Sequence, residues 1–385
     1  MTSFRIASFN VENLNHPGAY FAGRKDSAPY DDTLYADKLG WIGRILDEGR
    51  VDIVGFQELF SHRSAKEAVA ASRYMSQGGG ATLVAPTIEG GINERTRADG
   101  TKEVDGPNVG LATRFKVLSH ESIVDFPASV DLRIPTGLHD DPGEIVKLPI
   151  KRFERPVLKV RLELPGGIPA TVFVAHLKSK RGRLLEGEDR SVPVVEALGR
   201  TRSLIVRAAE AVALRTLVTR TMDDSVDGKR GEPVILLGDL NDDLSSVTTQ
   251  VVAGEEPPRY WGKEVKQRLW DVQLYSVHDI QEERSYRDVS FSHIYNGRYE
   301  LLDHLFVSQE FVRQFPERIG QVANTRIFND HLVDSRLVAL ERGPLPAAGA
   351  ARLKPPGTRS DHGIPVTEIE LVGPQAPAGG GSNMG

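Results

Sequence analysis

The chain opens on FRIASFNV, residues 4–11, where apolar and polar positions trade places at a period of two, the mark of a half-buried strand. The period then changes. Leu34, Lys38, Trp41 or Ile42, and Ile45 recur at helical steps, which predicts a helix over residues 33–48, capped by Asp32 or Thr33 and stopped at Gly49. VDIVGFQE follows at once as a short buried strand. Strand, helix and strand in immediate succession indicate an α/β or α+β fold. Further strands are expected at ATLVAP, GLATRF, PVLKVRLEL, ATVFVAHL, PVILLGDL and LLDHLFVS, with VTEIEL closing the fold. A long helix is expected from about Val194 to Val218, its apolar positions being Val194, Leu198, Ile205, Ala208, Val212 and Leu217.

Three segments break the pattern. Residues 86–108 carry Gly, Asn, Arg and Asp; residues 127–155 are Pro-rich and end in KLPIKRFERP; residues 340–358 contain ERGPLPAAGAARLKPPG. They read as loops inserted into one domain spanning residues 1–373, followed by a low-complexity tail at 374–385. No repeat at solenoid spacing is present.

Composition narrows the chemistry. With no cysteine among 385 residues, a disulfide framework, a thiolate nucleophile and cysteine-ligated zinc are all excluded. The net charge of −5 argues against a protein that coats nucleic acid, although a local basic groove is enough to hold a phosphate backbone. The start, MTSFRIASFNVENL, lacks a basic region followed by an apolar one, so no signal peptide is expected. No run approaches the ~18 apolar residues of a membrane span. A cytoplasmic location is the expectation.

Chemistry-bearing residues gather where the expected strands end. Asn10 and Glu12 close the first strand, Glu58 closes DIVGFQE, and Asp239 and Asn241 close PVILLGDLN. Asp303 lies in LLDH, His176 in VFVAHLKSK, and Asp361 with His362 opens the last strand. Taken singly, a carboxylate at a strand end is a turn former or a helix cap, and a lone histidine is a packing residue. Brought to one sheet edge, the set acquires several like charges that need a counter-cation. Hard oxygen ligands favour Mg²⁺ or Mn²⁺ over zinc, and an imidazole beside a carboxylate suits proton transfer.

In these residues the chain resembles the endonuclease/exonuclease/phosphatase superfamily. FNVENL, DIVGFQE, VAHLKSK, LLGDLNDD, LLDHLFVS and SDHGIPV appear in the family's order, over nearly the whole chain. The resemblance implies a four-layer α/β/β/α sandwich, two mixed sheets face to face with helices outside. It implies a metal-dependent phosphodiester hydrolase using in-line attack of water at phosphorus. Residue by residue, it implies that Asn10, Glu58 and Asp361 lie at the metal. It gives Asp239 and Asn241 the attacking water and the phosphate, His362 the charge-stabilising role with Asp303 orienting it, and His176 a place near the phosphate.

Asp330-His331 is a second Asp-His pair and reads as a solvated loop. Lys178 and Lys180, in KSKRGR, are expected to grip phosphates. Together with the run from Lys147 to Arg161 they favour a nucleic-acid substrate, DNA or RNA. A small phosphoester or lipid headgroup is the alternative substrate, and a non-catalytic binding scaffold on the same fold the remaining one.

Overall fold

A computed structural model describes residues 2–18, 28–85, 107–137, 143–223, 231–285, 291–295, 297–333 and 357–372, and the backbone alone of 94–96 and 102–104. The chain begins with β1 (Ser3–Leu14), α1 (Asp32–Gly49), β2 (Ile53–Leu59), α2 (His62–Ala70) and β3 (Thr82–Val84). A small hairpin follows, β4 (Glu94–Thr96) with β5 (Lys102–Val104), then β6 (Asn108–Thr113) and β7 (Lys116–Asp125). A second hairpin, β8 (Arg133–Pro135) with β9 (Ile145–Lys147), precedes β10 (Arg152–Leu164), β11 (Ile168–His176) and the long α3 (Pro193–Met222). Next come β12 (Val234–Asp239), α4 (Val247–Ala253), α5 (Lys263–Asp271), β13 (Leu274–Ser276) and α6 (Val277–Glu282). A third hairpin, β14 (His293–Tyr295) with β15 (Arg298–Glu300), leads into β16 (Asp303–Ser308), β17 (Gly320–Phe328) and β18 (Ile364–Leu371).

Two six-stranded sheets result, one ordered β17-β18-β1-β2-β6-β3 and the other β13-β16-β12-β11-β10-β7. Each is mixed, because α1 carries β1 into a parallel β2 and α3 carries β11 into a parallel β12, while the remaining pairs are antiparallel. Three apolar clusters separate four layers. Phe9, Trp41, Ile42 and Leu46 join the first sheet to α1. Ile6, Ile53, Leu111, Val160, Val174 and Leu237 fill the space between the sheets. Phe173, Leu214, Val218 and Phe306 join the second sheet to α3. The expected four-layer sandwich is therefore the observed one. The sheets approach closely at Gly55, where an added Cβ would lie 3.0 Å from the Leu237 side chain.

Several expectations need correction. The cap of α1 is Asp31, one residue earlier than expected; its carboxylate accepts from Leu34 N at 2.8 Å. The long helix exists, but its buried face is not the apolar set read from spacing. Val194, Leu198, Ile205 and Val212 are exposed, whereas Ser203, Arg207, Ala209, Glu210, Ala213, Leu214 and Val218 face inward. Small residues let the helix lie close to the sheet, and the inward polar ones reach beyond it to the loops at the sheet edge. Residues 127–155 are not one loop, since they hold the β8–β9 hairpin and the start of β10. Asp330-His331 is not a solvated loop: His331 is partly buried, edge-on to Trp41, and its Nε2 is 2.8 Å from the carbonyl oxygen of His362. The tail at 374–385, most of the 340–358 segment and most of 86–108 lie outside the described residues. No helix among the described residues is long and apolar enough to cross a membrane.

Candidate active site

Strand direction brings the candidate residues to one end of the sandwich. β1, β2, β11 and β12 all finish there, at or beside Asn10, Glu58, His176 and Asp239. β16 and β18 run the other way and begin there, with Asp303 and just after His362. In the second sheet the register aligns three candidates directly, His176 with Asp239 and Asp239 with Asp303. Gly238 permits this. An added Cβ there would lie 2.3 Å from the Ala175 carbonyl oxygen, so only glycine lets β12 pass β11 at this level.

The centre of the site is one oxygen, Asp239 Oδ2. Asn10 donates its amide N–H to it at 3.0 Å, His176 Nε2 lies 3.5 Å away and His362 Nε2 3.9 Å away. The other oxygen, Oδ1, accepts from Asn241 N at 2.8 Å. Asn241 in turn donates its side-chain N–H to Leu177 O, tying the turn after β12 to the end of β11. His362 Nδ1 is 2.7 Å from Asp303 Oδ2, which fixes the ring and leaves Nε2 facing Asp239. Ser360 holds the segment before β18 in place, donating to Asn10 O and accepting from His362 N. Asp239, Asp303, His176 and His362 are all almost wholly buried.

Burial and charge set the protonation states. The His362 imidazole is disfavoured as a cation by burial, yet the charges of Asp303 and Asp239 carry it well above its ordinary value. The Asp239 carboxyl is pushed up to about 7, by burial first and by Asp303 next, against the pull of His362 and the bonds from Asn241 and Asn10. His176 is driven well below its ordinary value by burial and by the charges of Arg155, His362 and Lys178, so it stays neutral. The backbone is bent here too. Glu12, Asn13, Glu58 and Asn241 all take left-handed φ, between 48° and 63°, and the β1–β2 register slips just beyond Asn10. Such conformations cost about 1–3 kcal/mol each and gather where a site must be held open.

A second charged group sits beside the first. Lys38, on the inner face of α1, is fully buried and donates to Arg359 O at 3.0 Å. Burial lowers its pKa to about 8, against the raising influence of Glu12, Asp361 and Glu58. Glu58 accepts from Asn13 N at 2.9 Å. Three carboxylates thus share a neighbourhood with the cations Lys38 and Arg359, leaving a surplus of negative charge built from hard oxygen donors. Carboxylate oxygens of this kind suit a hard divalent cation. Asn10 stands between the two groups: its amide oxygen accepts from Glu12 N while its nitrogen serves Asp239.

The expected phosphate-gripping lysines have acidic partners. Lys178 Nζ is 3.9 Å from Glu154, and Lys180 Nζ is 3.0 Å from Glu300 and 3.6 Å from Asp242. The loop they occupy is anchored from below by α3. Glu210 accepts from Glu154 N and Lys178 N, Arg207 donates to Lys178 O, and Ser203 donates to Arg181 O.

Lys38, Ser360, Glu210 and His293 were not singled out by the sequence reading as site residues. For Lys38 a signal existed, because a lysine interrupts the apolar stripe of α1. His293 carried none; it reaches the site through a bridge to His362 across a long chain separation.

A buried Asp–His pair thus faces a second aspartate, with asparagines and an acidic group alongside, at one end of a two-sheet sandwich. The Endonuclease/Exonuclease/phosphatase family profile matches residues 7–362, and the chain belongs to that family, one of divalent-metal-dependent phosphoesterases. Among solved structures, the chain is similar to an endonuclease/exonuclease/phosphatase family protein from Bacteroides thetaiotaomicron, with 16% identity, TM-score 0.48 and 96% of each chain covered. It is similar to D. rerio TDP2 complexed with single strand DNA product, with 14% identity, TM-score 0.48 and 96% and 100% of the two chains covered. A mannosyl-6-phosphatase of Bacteroides thetaiotaomicron VPI-5482 shows 16% identity and TM-score 0.43, with 96% and 100% covered. No curated protein matches the chain.

Proposed function

We propose that the protein is a Mg²⁺-dependent phosphodiester hydrolase acting on nucleic acid, with Mn²⁺ as a working substitute. The observation that carries the hydrolase reading is the convergence of Asn10, His176 and His362 on the single oxygen Asp239 Oδ2, with Asp303 behind His362. Asp239 aligns the attacking water and takes its proton. Asn241, fixed between Asp239 and Leu177, positions the phosphate beside it. His362, held protonated, donates from Nε2 to the phosphoryl oxygen where charge builds. Neutral His176 donates an N–H to the same oxygen without adding charge. Glu58 and Asp361, with Asn10 alongside, would hold a divalent cation, which would supply charge neutralisation at the phosphate.

Nucleic acid is favoured by exposed arginines on three segments that border the site: Arg181 after β11, Arg298 on the β14–β15 hairpin and Arg359 before Ser360. A smaller phosphoester is the second reading. It is favoured by the pairing of Lys178, Lys180, Arg152, Arg161 and Arg183 with acidic side chains, which leaves less charge for a long backbone. The two readings separate in one experiment. The protein is incubated with Mg²⁺ and plasmid, linear duplex, single strands, RNA or bis-p-nitrophenyl phosphate, with EDTA and His362→Ala as controls. Cleavage of a polynucleotide that falls steeply with salt supports the nuclease. Turnover of the small ester alone, indifferent to salt, overturns it.

A further inference from the structure

The β14–β15 hairpin places His293 against His362, their ring centroids 5.0 Å apart and 38° from coplanar. Asp361 completes the group: one ligand atom from each of His293, Asp361 and His362 lies within 4.8 Å of the other two. His293 is partly buried, and its Nδ1 is buried without a hydrogen-bond partner among the described residues. A buried imidazole nitrogen left unpaired is costly unless something fills the position.

We propose that His293, Asp361 and His362 form a binding site for a borderline transition-metal cation of the Zn²⁺ class, separate in chemistry from the oxygen-lined Mg²⁺ position, and that its occupation inhibits hydrolysis. Two imidazoles and one carboxylate are a donor set that Zn²⁺, Co²⁺ and Cu²⁺ prefer and Mg²⁺ does not. His362 already has the outer contact such a ligand requires, since Nδ1 faces Asp303 at 2.7 Å. That arrangement turns Nε2 away from Asp303, with Asp361 Oδ1 4.0 Å from it, and raises its basicity. On binding, the Nε2 proton of His362 passes to the buffer and a metal–nitrogen bond takes its place. The proton that the reaction needs at Nε2 is then absent, and Asp361 is drawn from its other task. Inhibition rests on the hydrolase reading above; the binding site does not.

The test follows binding directly. The full chain is titrated with Co²⁺ in the presence of excess Mg²⁺, the visible d–d absorption is recorded, and Zn²⁺ is added to displace it. The same titration is run on His293→Ala and His293→Gln, with circular dichroism to confirm folding. In parallel, Zn²⁺ is titrated into the Mg²⁺-dependent reaction, each variant's rate being scaled to its own rate in Mg²⁺ alone. The expected result is a Co²⁺ spectrum that Zn²⁺ abolishes, and an affinity about tenfold weaker or more in both folded variants. The Zn²⁺ inhibition constant is expected to weaken by the same factor. Equal affinity in the wild type and both variants, or no Co²⁺ spectrum at all, overturns the site. His293-dependent metal binding in a protein that hydrolyses no phosphoester upholds the site and removes the hydrolase reading. Normal Mg²⁺-dependent hydrolysis with metal binding indifferent to His293 does the reverse.

Discussion

At the residue scale, two side chains decide how the site responds to pH. Asp239 takes up charge only as the pH passes about 7, and His362 gives up its proton well above the ordinary histidine range. The expected profile of kcat/KM is therefore a bell, rising through about pH 7 as Asp239 ionises and falling on the alkaline side as His362 deprotonates. Asp303→Asn removes the charge that holds the His362 proton. It should lower kcat by about 10²–10⁴-fold and move the alkaline limb to lower pH; an unmoved limb would show that Asp303 is not what raises His362. The same shift has a sign in stability. Because the folded pKa of His362 lies above the unfolded one, its contribution is complete below about pH 6.5 and is lost as the pH climbs through the raised value. Lys38 offers a second residue-scale prediction. Lys38→Met leaves the Arg359 carbonyl without its donor and three carboxylates without their buried counter-charge. A loss of about 1–3 kcal/mol of stability is expected, read from denaturant midpoints. Turnover should fall further than binding, because the segment from Arg359 to His362 shifts.

The elements show why parts of the fold were legible and parts were not. The central strands β1, β2, β11, β12 and β16 are buried almost throughout, so their apolar runs stand out in the sequence and their last polar residues mark the site. β7 and β17 are edge strands with mixed exposure, and KVLSHESIVD and GQVANTRIF carry no clear period. α3 misled in another way. Its largest apolar residues point outward while Arg207 and Glu210 point in, because the helix anchors the 177–183 loop as well as covering the sheet. Glu210 makes that role measurable. Burial first of all pushes its carboxyl up to about 7, despite two backbone N–H bonds. A folded pKa above the unfolded one means that stability present below about pH 4.5 is lost as the pH rises to about 7, by an amount on the order of 3 kcal/mol. Glu210→Gln should flatten that slope when unfolding midpoints are compared across the window. Gly238→Ala belongs at this scale too: its methyl group would meet the Ala175 carbonyl and force β11 and β12 apart. A loss of about 1–3 kcal/mol is expected by thermal unfolding, together with a loss of turnover.

At the scale of the whole molecule, three clusters of apolar side chains, none of which includes a carboxylate of the site, join the four layers. Chelation should therefore stop hydrolysis and leave the far-UV circular dichroism unchanged. The sequence by itself determined most of the central strands and the two long helices, since the period of apolar positions marks them, and it narrowed the fold to α/β or α+β; the four layers came from the resemblance to the family. It also determined the residue types available for chemistry, and their placement at strand ends. Only the tertiary structure decided which of them meet. Strand direction and register carry Asn10, His176, Asp239, Asp303 and His362 to one sandwich end. The pairing of Lys180 with Glu300, the burial of Lys38 and the approach of His293 to His362 were likewise settled there. Contacts of that kind join residues far apart in the chain, and no local pattern of polar and apolar positions encodes them.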